Sequence, residues 1–182
     1  MLRVVIPAIE VFDDDKQEFV TLRKSQILRL EHSLISISKW ESKWHKPFLS
    51  KIEKTDEEIF DYIRCMTLDQ NVDPDIYNFL SNDNVKQINE YIENSMTATT
   101  FPEDKSNKKN SNELVTSELI YYWMVALNIP SEYEKWHLNR LLTLIRVCNV
   151  KNAPPKKMSR REAMAHNKAV NAANRKRFNS RG

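Results

Sequence analysis

Glycine is almost missing from this chain: among its 182 residues the single glycine is Gly182, the last one. A turn that needs a positive φ angle must therefore use asparagine or aspartate, which tolerate that conformation best after glycine. Glycine-rich phosphate loops, dinucleotide-binding fingerprints and nucleophile elbows all need glycine where the backbone meets a ligand or turns sharply. The sequence therefore argues against the nucleotide-dependent enzymes of the common folds.

Cysteine and long apolar stretches are also scarce. Cys65 and Cys148 have neither metal-ligand spacing nor the pattern of a disulfide framework, so we expect two buried thiols in a reducing compartment. The longest apolar run, residues 119–127, is far shorter than the roughly 20 residues that cross a bilayer. Acidic residues follow the N-terminal apolar residues too early for a secretory signal. These features predict a cytosolic protein with no membrane partner.

The side chains that could carry chemistry show no catalytic or metal-binding spacing. The histidines are scattered, and none lies in an HExxH or comparable pattern. Carboxylate pairs such as Glu57 and Glu58 lie where helices are expected to begin, and negative charge is favourable there without any catalytic role. We therefore predict that the protein is not an enzyme and binds no metal or cofactor. The histidines are His32, His45, His137 and His166.

Positive charge is concentrated at the C-terminal end. Residues 151–182, called the arm below, hold 10 of the 28 basic residues and one of the 25 acidic ones, a net charge of +9. Residues 1–150, the body, keep 18 basic and 24 acidic residues. Such a segment favours contact with an acidic protein surface or with nucleic acid, the alternative being a solvated tail that only aids solubility. The predicted partner-binding residues are Lys156, Lys157, Arg160, Arg161, Lys168, Arg175, Lys176 and Arg177.

The arm is predicted to be a helix that binds protein in preference to nucleic acid. Residues 152–155 contain paired prolines that break any preceding helix. Residues 159–162 form a capping box, and the helix that they open should reach about Phe178. Its apolar residues are mostly alanine, so we expect it to be exposed or docked on a partner. Phe178 is its one aromatic residue, whereas segments that stack on bases carry several, so nucleic-acid binding should be weak and non-specific.

The first part of the body predicts strands. Residues 4–12 and 18–22 are β-prone runs on either side of an acidic turn, as in a β-hairpin, and Pro7 should mark an edge or a bulge. Residues 26–38 alternate apolar and polar positions and predict a further strand, with a helix over 27–32 as the alternative. We therefore expect residues 1–50 to be β-rich and residues 51–150 to be helical, which makes the fold class α+β with a small antiparallel sheet.

Residues 51–150 carry several signals for the start of a helix. Thr55 and Glu58 form a capping box, Asp73 followed by proline marks a second start, and a third helix is predicted over residues 84–93. A polar loop is expected at residues 100–112.

Two apolar helices should follow this loop and form the centre of the core. A helix over residues 113–127 is apolar on nearly every side, and a capping box at Ser131 should open a helix over residues 132–148. We expect the two to pack as an αα-hairpin. The predicted core residues are Trp123, Trp136, Leu141, Leu142 and Ile145.

Much of the chain resembles a protein family of long-tailed bacteriophages. The resemblance covers residues 30–50, 61–74, 96–101 and 118–182, and it is most specific in the segments WHLNRLLTLIRVCN and PPKKMSRRE. The family is similar to tail assembly chaperones, non-virion proteins that coat the hydrophobic tape measure protein and recruit tail tube subunits to it. The resemblance therefore implies a non-enzymatic protein of tail morphogenesis in the host cytoplasm, with the tape measure and tail tube proteins as partners. Self-association as a homo-oligomer is compatible with this role.

Two other functions stay open because the chain departs from tail assembly chaperones, which are often acidic and mostly helical. A virion structural protein of the tail or connector region would use the N-terminal hairpin and the arm to contact neighbouring subunits. A small phage nucleic-acid-binding protein would use the arm alone.

Overall fold

A computed structural model of the chain describes residues 1–13, 17–101, 114–154 and 160–179, and of Ile9, Asp13 and Leu22 it describes the backbone alone. The chain divides into two units, Met1–Asn149 and Val150–Gly182. The first unit combines antiparallel strand pairs with helices, which confirms the predicted α+β class. The centre of the acidic turn, the start of the predicted capping box at residues 159–162 and nearly all of the loop predicted at residues 100–112 lie outside the described residues.

The strands form two antiparallel pairs. β1 (Leu2–Ile6) pairs with β4 (Gln26–Leu30), and β2 (Ile9–Asp13) pairs with β3 (Glu18–Arg23). The predicted hairpin is confirmed for β2 and β3, but the run predicted as its first strand divides at Pro7, which has no amide hydrogen to donate to a ladder. The N-terminal half of that run pairs instead with β4.

The helices occupy most of the remaining described residues. Two of the helical segments are 3₁₀ helices, at Pro74–Phe79 and Ser131–Lys135. The α-helices are α1 (Leu34–Trp44), α2 (Asp56–Met66), α3 (Asn82–Glu93), α4 (Ser117–Ala126), α5 (Leu138–Asn152) and α6 (Arg160–Phe178).

The strand predicted over residues 26–38 was wrong beyond Leu30, where the chain turns into α1. Ser33 and Ser36 form a capping box: the Ser36 amide donates to Ser33 Oγ at 3.3 Å, and the Ser33 amide donates to Ser36 Oγ at 2.9 Å. This cap satisfies two amides that would otherwise lack partners at the helix start. Residues 1–50 therefore contain a helix as well as strands.

The core is built around α1. This helix packs against α2, α4 and the 3₁₀ helix at Ser131–Lys135. Trp40 of α1 is almost completely buried, and its indole Nε1 donates to the carbonyl oxygen of Glu58 at 2.8 Å. Strands β1 and β4 turn one face inward against it. The fully buried residues of these three elements are Val4, Ile6, Leu28, Leu30, Leu34 and Ile37.

Among the other helix starts, the capping box at Thr55 is confirmed at the start of α2. Asp73 caps a 3₁₀ helix, with its carboxylate accepting from the Asp75 amide at 3.0 Å. The third predicted helix is α3.

The second helix of the predicted αα-hairpin is shorter than expected, since α5 begins only at Leu138. The helix predicted to start at Ser131 is interrupted before α5, and no side chain caps the 3₁₀ helix at Ser131–Lys135. The Leu138 amide donates to the His32 carbonyl at 2.7 Å, and His137 bridges to Ser33. These bonds to the junction of β4 and α1 use backbone groups that a continuous helix would need.

Helix α4 is not buried on every side, contrary to prediction. Tyr122 and Val125 are 65% and 77% exposed, while Ile120 and Met124 face the core. The core of this unit therefore covers only part of the apolar surface of α4.

The predicted core residues divide into two groups. Leu141 and Ile145 are buried, because these positions, four residues apart on α5, lie on its inward face. Trp123, Leu142 and Trp136 are only half-buried. Trp136 precedes α5 and lies outside the core cluster. Its ring stacks on the ring of Tyr133, with 4.0 Å between the two centroids.

Two further expectations also need correction. Cys65 and Cys148 are half-buried, so neither thiol is a core residue; partial burial raises the pKa of the Cys65 thiol. Positive φ angles are not restricted to asparagine and aspartate. His45 adopts one at the end of α1, where its amide donates to the Glu41 carbonyl at 2.8 Å and so repays part of the conformational cost. The described non-glycine residues with positive φ are Gln17, His45, Asn71, Met96, Asn128 and Asn179.

Replacing Leu141 with alanine should destabilise the protein more than the same change at its neighbour Leu142. Leu141 is fully buried, so its truncation should cost about 2–5 kcal/mol through lost burial and a residual cavity. Leu142 is half-buried, and its truncation should cost clearly less. Urea unfolding followed by tryptophan fluorescence gives both free energies. Equal costs for the two variants would contradict the assignment of the inward face of α5.

Candidate protein-binding surfaces

The helix α6 exposes the basic residues predicted to bind a partner. None of its residues is buried, and its basic side chains are exposed along all 19 residues. Lys156 and Lys157 lie outside the described residues. The basic residues described on α6 are Arg160, Arg161, Lys168, Arg175, Lys176 and Arg177.

Three of these residues form a line along α6. Arg161, Lys168 and Arg175 are seven residues apart, and this spacing drifts by only about 20° around an α-helix at each step. Met164 and Asn171 share that face and line a shallow depression with Lys168 and Arg175. We call Arg161, Lys168 and Arg175 the basic stripe. Its side chains can donate hydrogen bonds to a row of carboxylates while Met164 contributes an apolar contact.

The remaining basic residues of α6 point in other directions. At about 100° per residue, Arg160, Lys176 and Arg177 do not share a face with one another. The side roughly opposite the stripe carries Ala163 and Val170, which offer little apolar surface. The stripe is therefore the most ordered array of charge on this helix.

The β2–β3 hairpin is a second exposed surface, which the sequence suggested only for a virion structural protein, as a contact with neighbouring subunits. Phe12 and Phe19 lie opposite each other on the two strands, with an edge-to-face ring contact at 5.2 Å between centroids. They are 42% and 70% exposed, and Glu10 and Glu18 are exposed beside them. The signal available in the sequence was the pair of phenylalanines on either side of the acidic turn.

Two histidines form a buried polar cluster at the centre of the body. The rings of His32 and His137 lie 5.0 Å apart between centroids, and both are almost completely buried. His32 Nδ1 and the Tyr62 hydroxyl oxygen are 2.5 Å apart. His137 Nε2 lies 3.0 Å from the carbonyl oxygen of Tyr91, and because a carbonyl only accepts, Nε2 carries the proton. The prediction that His137 lies within a helix was wrong, since it precedes α5.

Both histidines stay neutral in the folded protein. Burial, and secondly the neighbouring His137, lower the pKa of His32 to about 3. Burial also lowers the pKa of His137, partly opposed by its hydrogen bond to Tyr91. Because neither ring is accessible, these histidines serve the packing of the body.

Within the described ranges, no group of three or more His, Cys, Asp and Glu side chains is arranged to hold a metal ion. The same residues include no helix that is long and apolar enough to cross a membrane.

The folded protein should lose stability as the pH falls below about 6.5, the ordinary pKa of histidine. Below that pH the unfolded chain binds protons at both histidines, whereas His32 in the folded protein does so only near pH 3. Each unit by which the pH falls therefore lowers the free energy of unfolding by up to about 1.4 kcal/mol for each histidine. Urea unfolding at several pH values from about 7.5 down to about 5, above the range where most carboxylates titrate, should show this slope. His32→Gln should flatten the slope, and the exposed control His166→Gln should not. A pH-independent free energy would contradict this account.

Comparisons with known proteins leave the function to be argued from the residues. A scan of protein-family models and searches of curated proteins and of solved structures return no match to this chain.

Proposed function

We propose that this protein is a non-enzymatic protein of phage tail morphogenesis whose basic stripe binds acidic side chains on another protein. The single observation that carries the proposal is a helix of 19 residues with basic residues at regular spacing and none of its side chains buried. Following the family resemblance, the specific form of the proposal is a tail assembly chaperone in the host cytoplasm. Its partners would be the tape measure protein and tail tube subunits.

The physical state of α6 supports a docking role. Most helical stability in proteins comes from packing an apolar face against other elements. Alanine-rich α6 has good intrinsic propensity but buries nothing. A partner surface would therefore stabilise the helix as it binds.

The stripe suits a surface of several carboxylates better than a single one. An exposed ion pair contributes only about 0.2–1 kcal/mol, so one pair cannot hold a partner. Three ion pairs in register, together with the apolar contact of Met164, add up to a binding free energy that is large enough to matter. Arginine at two of the positions adds the bidentate geometry that carboxylates match.

Nucleic acid is a weaker fit to the same helix. Phosphates would attract the stripe, but between its charges lie Met164 and Asn171, and neither residue stacks on bases. Binding to nucleic acid should therefore be non-specific and lost as salt rises.

The exposed β2–β3 hairpin favours a second candidate function, a virion structural protein of the tail or connector region. Its exposed Phe12 and Phe19 could pack against a neighbouring subunit. Mass spectrometry of purified virions separates the two candidates, because a chaperone is absent from the particle and a structural subunit is present.

Neutralising the basic stripe should weaken partner binding more than an equal loss of charge elsewhere on α6. The test variant is Arg161→Gln, Lys168→Gln and Arg175→Gln in one chain. The matched control is Arg160→Gln, Lys176→Gln and Arg177→Gln, which removes the same charge from different faces. Co-purification with the tape measure and tail tube proteins should fall by about tenfold or more in the test variant, consistent with three lost ion pairs. Equal loss in both variants, or loss in neither, would contradict a specific role for the stripe.

A further inference from the structure

We propose that the β2–β3 hairpin of one copy binds the basic stripe of a second copy, so that copies of the free protein associate head to tail. The inference rests on the proposed function of α6 as a helix that binds acidic protein surfaces. It adds the identity of one such surface, which the chain itself provides.

The hairpin is anchored to the rest of the body at its base, and side chains beyond the base are exposed. Arg23, at the end of β3, forms an ion pair with Asp73, and its guanidinium lies 4.8 Å from the ring centroid of Phe79. Beyond this anchor, the Phe12–Phe19 pair is exposed on one face of the hairpin, and Val11 is 48% exposed on the opposite face. A lone two-stranded hairpin is at best marginally stable in water, so a surface that covers the Phe12–Phe19 pair would stabilise it.

The charges of the two surfaces are complementary. Residues 10–18 contain five acidic residues and one basic residue, a net charge of −4, whereas the arm carries +9. Glu10 and Glu18 are exposed on the strands themselves. Opposite charges on separate parts of one chain favour contact between two copies, because each copy offers both surfaces.

The sizes of the two surfaces also agree. From Arg161 to Arg175 the helix rises by about 21 Å at 1.5 Å per residue. Strand β3 has six residues and is about 20 Å long at 3.3 Å per residue. The stripe is therefore long enough to lie along the full length of β3.

Arginine and phenylalanine give this contact an apolar component. The body already places Arg140 over the ring of Trp136 and Arg146 over the ring of Phe101, each at 4.0 Å from the centroid. Arg161 or Arg175 of a second copy could lie over Phe19 in the same way. Because the two contacting surfaces differ, the association is heterologous and can continue into rings or open chains.

Charge reversal in the full-length chain tests the inference. One variant carries Glu10→Lys and Glu18→Lys in the hairpin, and another carries Arg161→Glu, Lys168→Glu and Arg175→Glu in the stripe. A control carries Glu90→Lys and Glu93→Lys, which reverse two exposed acids of α3. Sedimentation velocity over a wide concentration range, at low and high salt, measures association, and circular dichroism checks that each variant is folded.

The wild-type protein and the control should self-associate at low salt and dissociate as salt rises. Each reversal alone should weaken self-association by about tenfold or more. Mixing the two variants should restore association, because the unaltered stripe of the hairpin variant can then bind the unaltered hairpin of the stripe variant. A wild-type protein that stays monomeric would overturn the inference, as would association that the hairpin reversal leaves unchanged or a mixture that stays dissociated.

The same variants separate this inference from the proposed function. If the stripe reversal abolishes co-purification with the tail proteins while the wild-type protein is monomeric, the inference fails and the proposed function stands. If the stripe reversal leaves co-purification intact, the proposed function fails whatever the oligomeric state.

Discussion

The three residues between β4 and α1 impose the arrangement of the body, because their buried polar groups must all find partners. The Glu31 amide donates to the Met66 carbonyl at 2.9 Å, which fixes the end of α2. The His32 carbonyl accepts from Leu138 at 2.7 Å, and this bond sets where α5 begins. Ser33 caps α1, the helix around which the core is packed. A strand, three helices and the buried histidine pair therefore depend on one short junction.

The arm follows a different physical rule. The body holds the large apolar side chains and an excess of acids, whereas the arm has alanine and an excess of bases. A helix such as α6 adds little to a core, since burying alanine removes little apolar surface from water. Its regular charge is the basis of the proposed binding to another protein surface. The proposed function and the proposed self-association both rest on this division between a body with a core and a basic helix without buried residues.

Local signals in the sequence predicted the parts of the fold that local bonds determine. The capping box at Thr55, the β2–β3 hairpin and the extent of α6 were all correct. The pairing of β1 with β4 and the break before α5 were missed, since both depend on hydrogen bonds between residues far apart in the chain. For the candidate sites, the composition located the basic arm, and the seven-residue spacing of the stripe could be read from the sequence. The exposure of Phe12 and Phe19 could not be predicted, because apolar residues in a predicted strand normally indicate a covered face.

The most direct test of this division is the stability of the body without the arm. Urea unfolding would compare the full chain with a chain that ends at Asn152, the last residue of α5. The account predicts a cooperative transition in both, with unfolding free energies that agree to within about 0.5 kcal/mol, as for changes away from a packed core. Loss of cooperativity, or a loss of several kcal/mol, would show that the arm belongs to the core and would contradict the account.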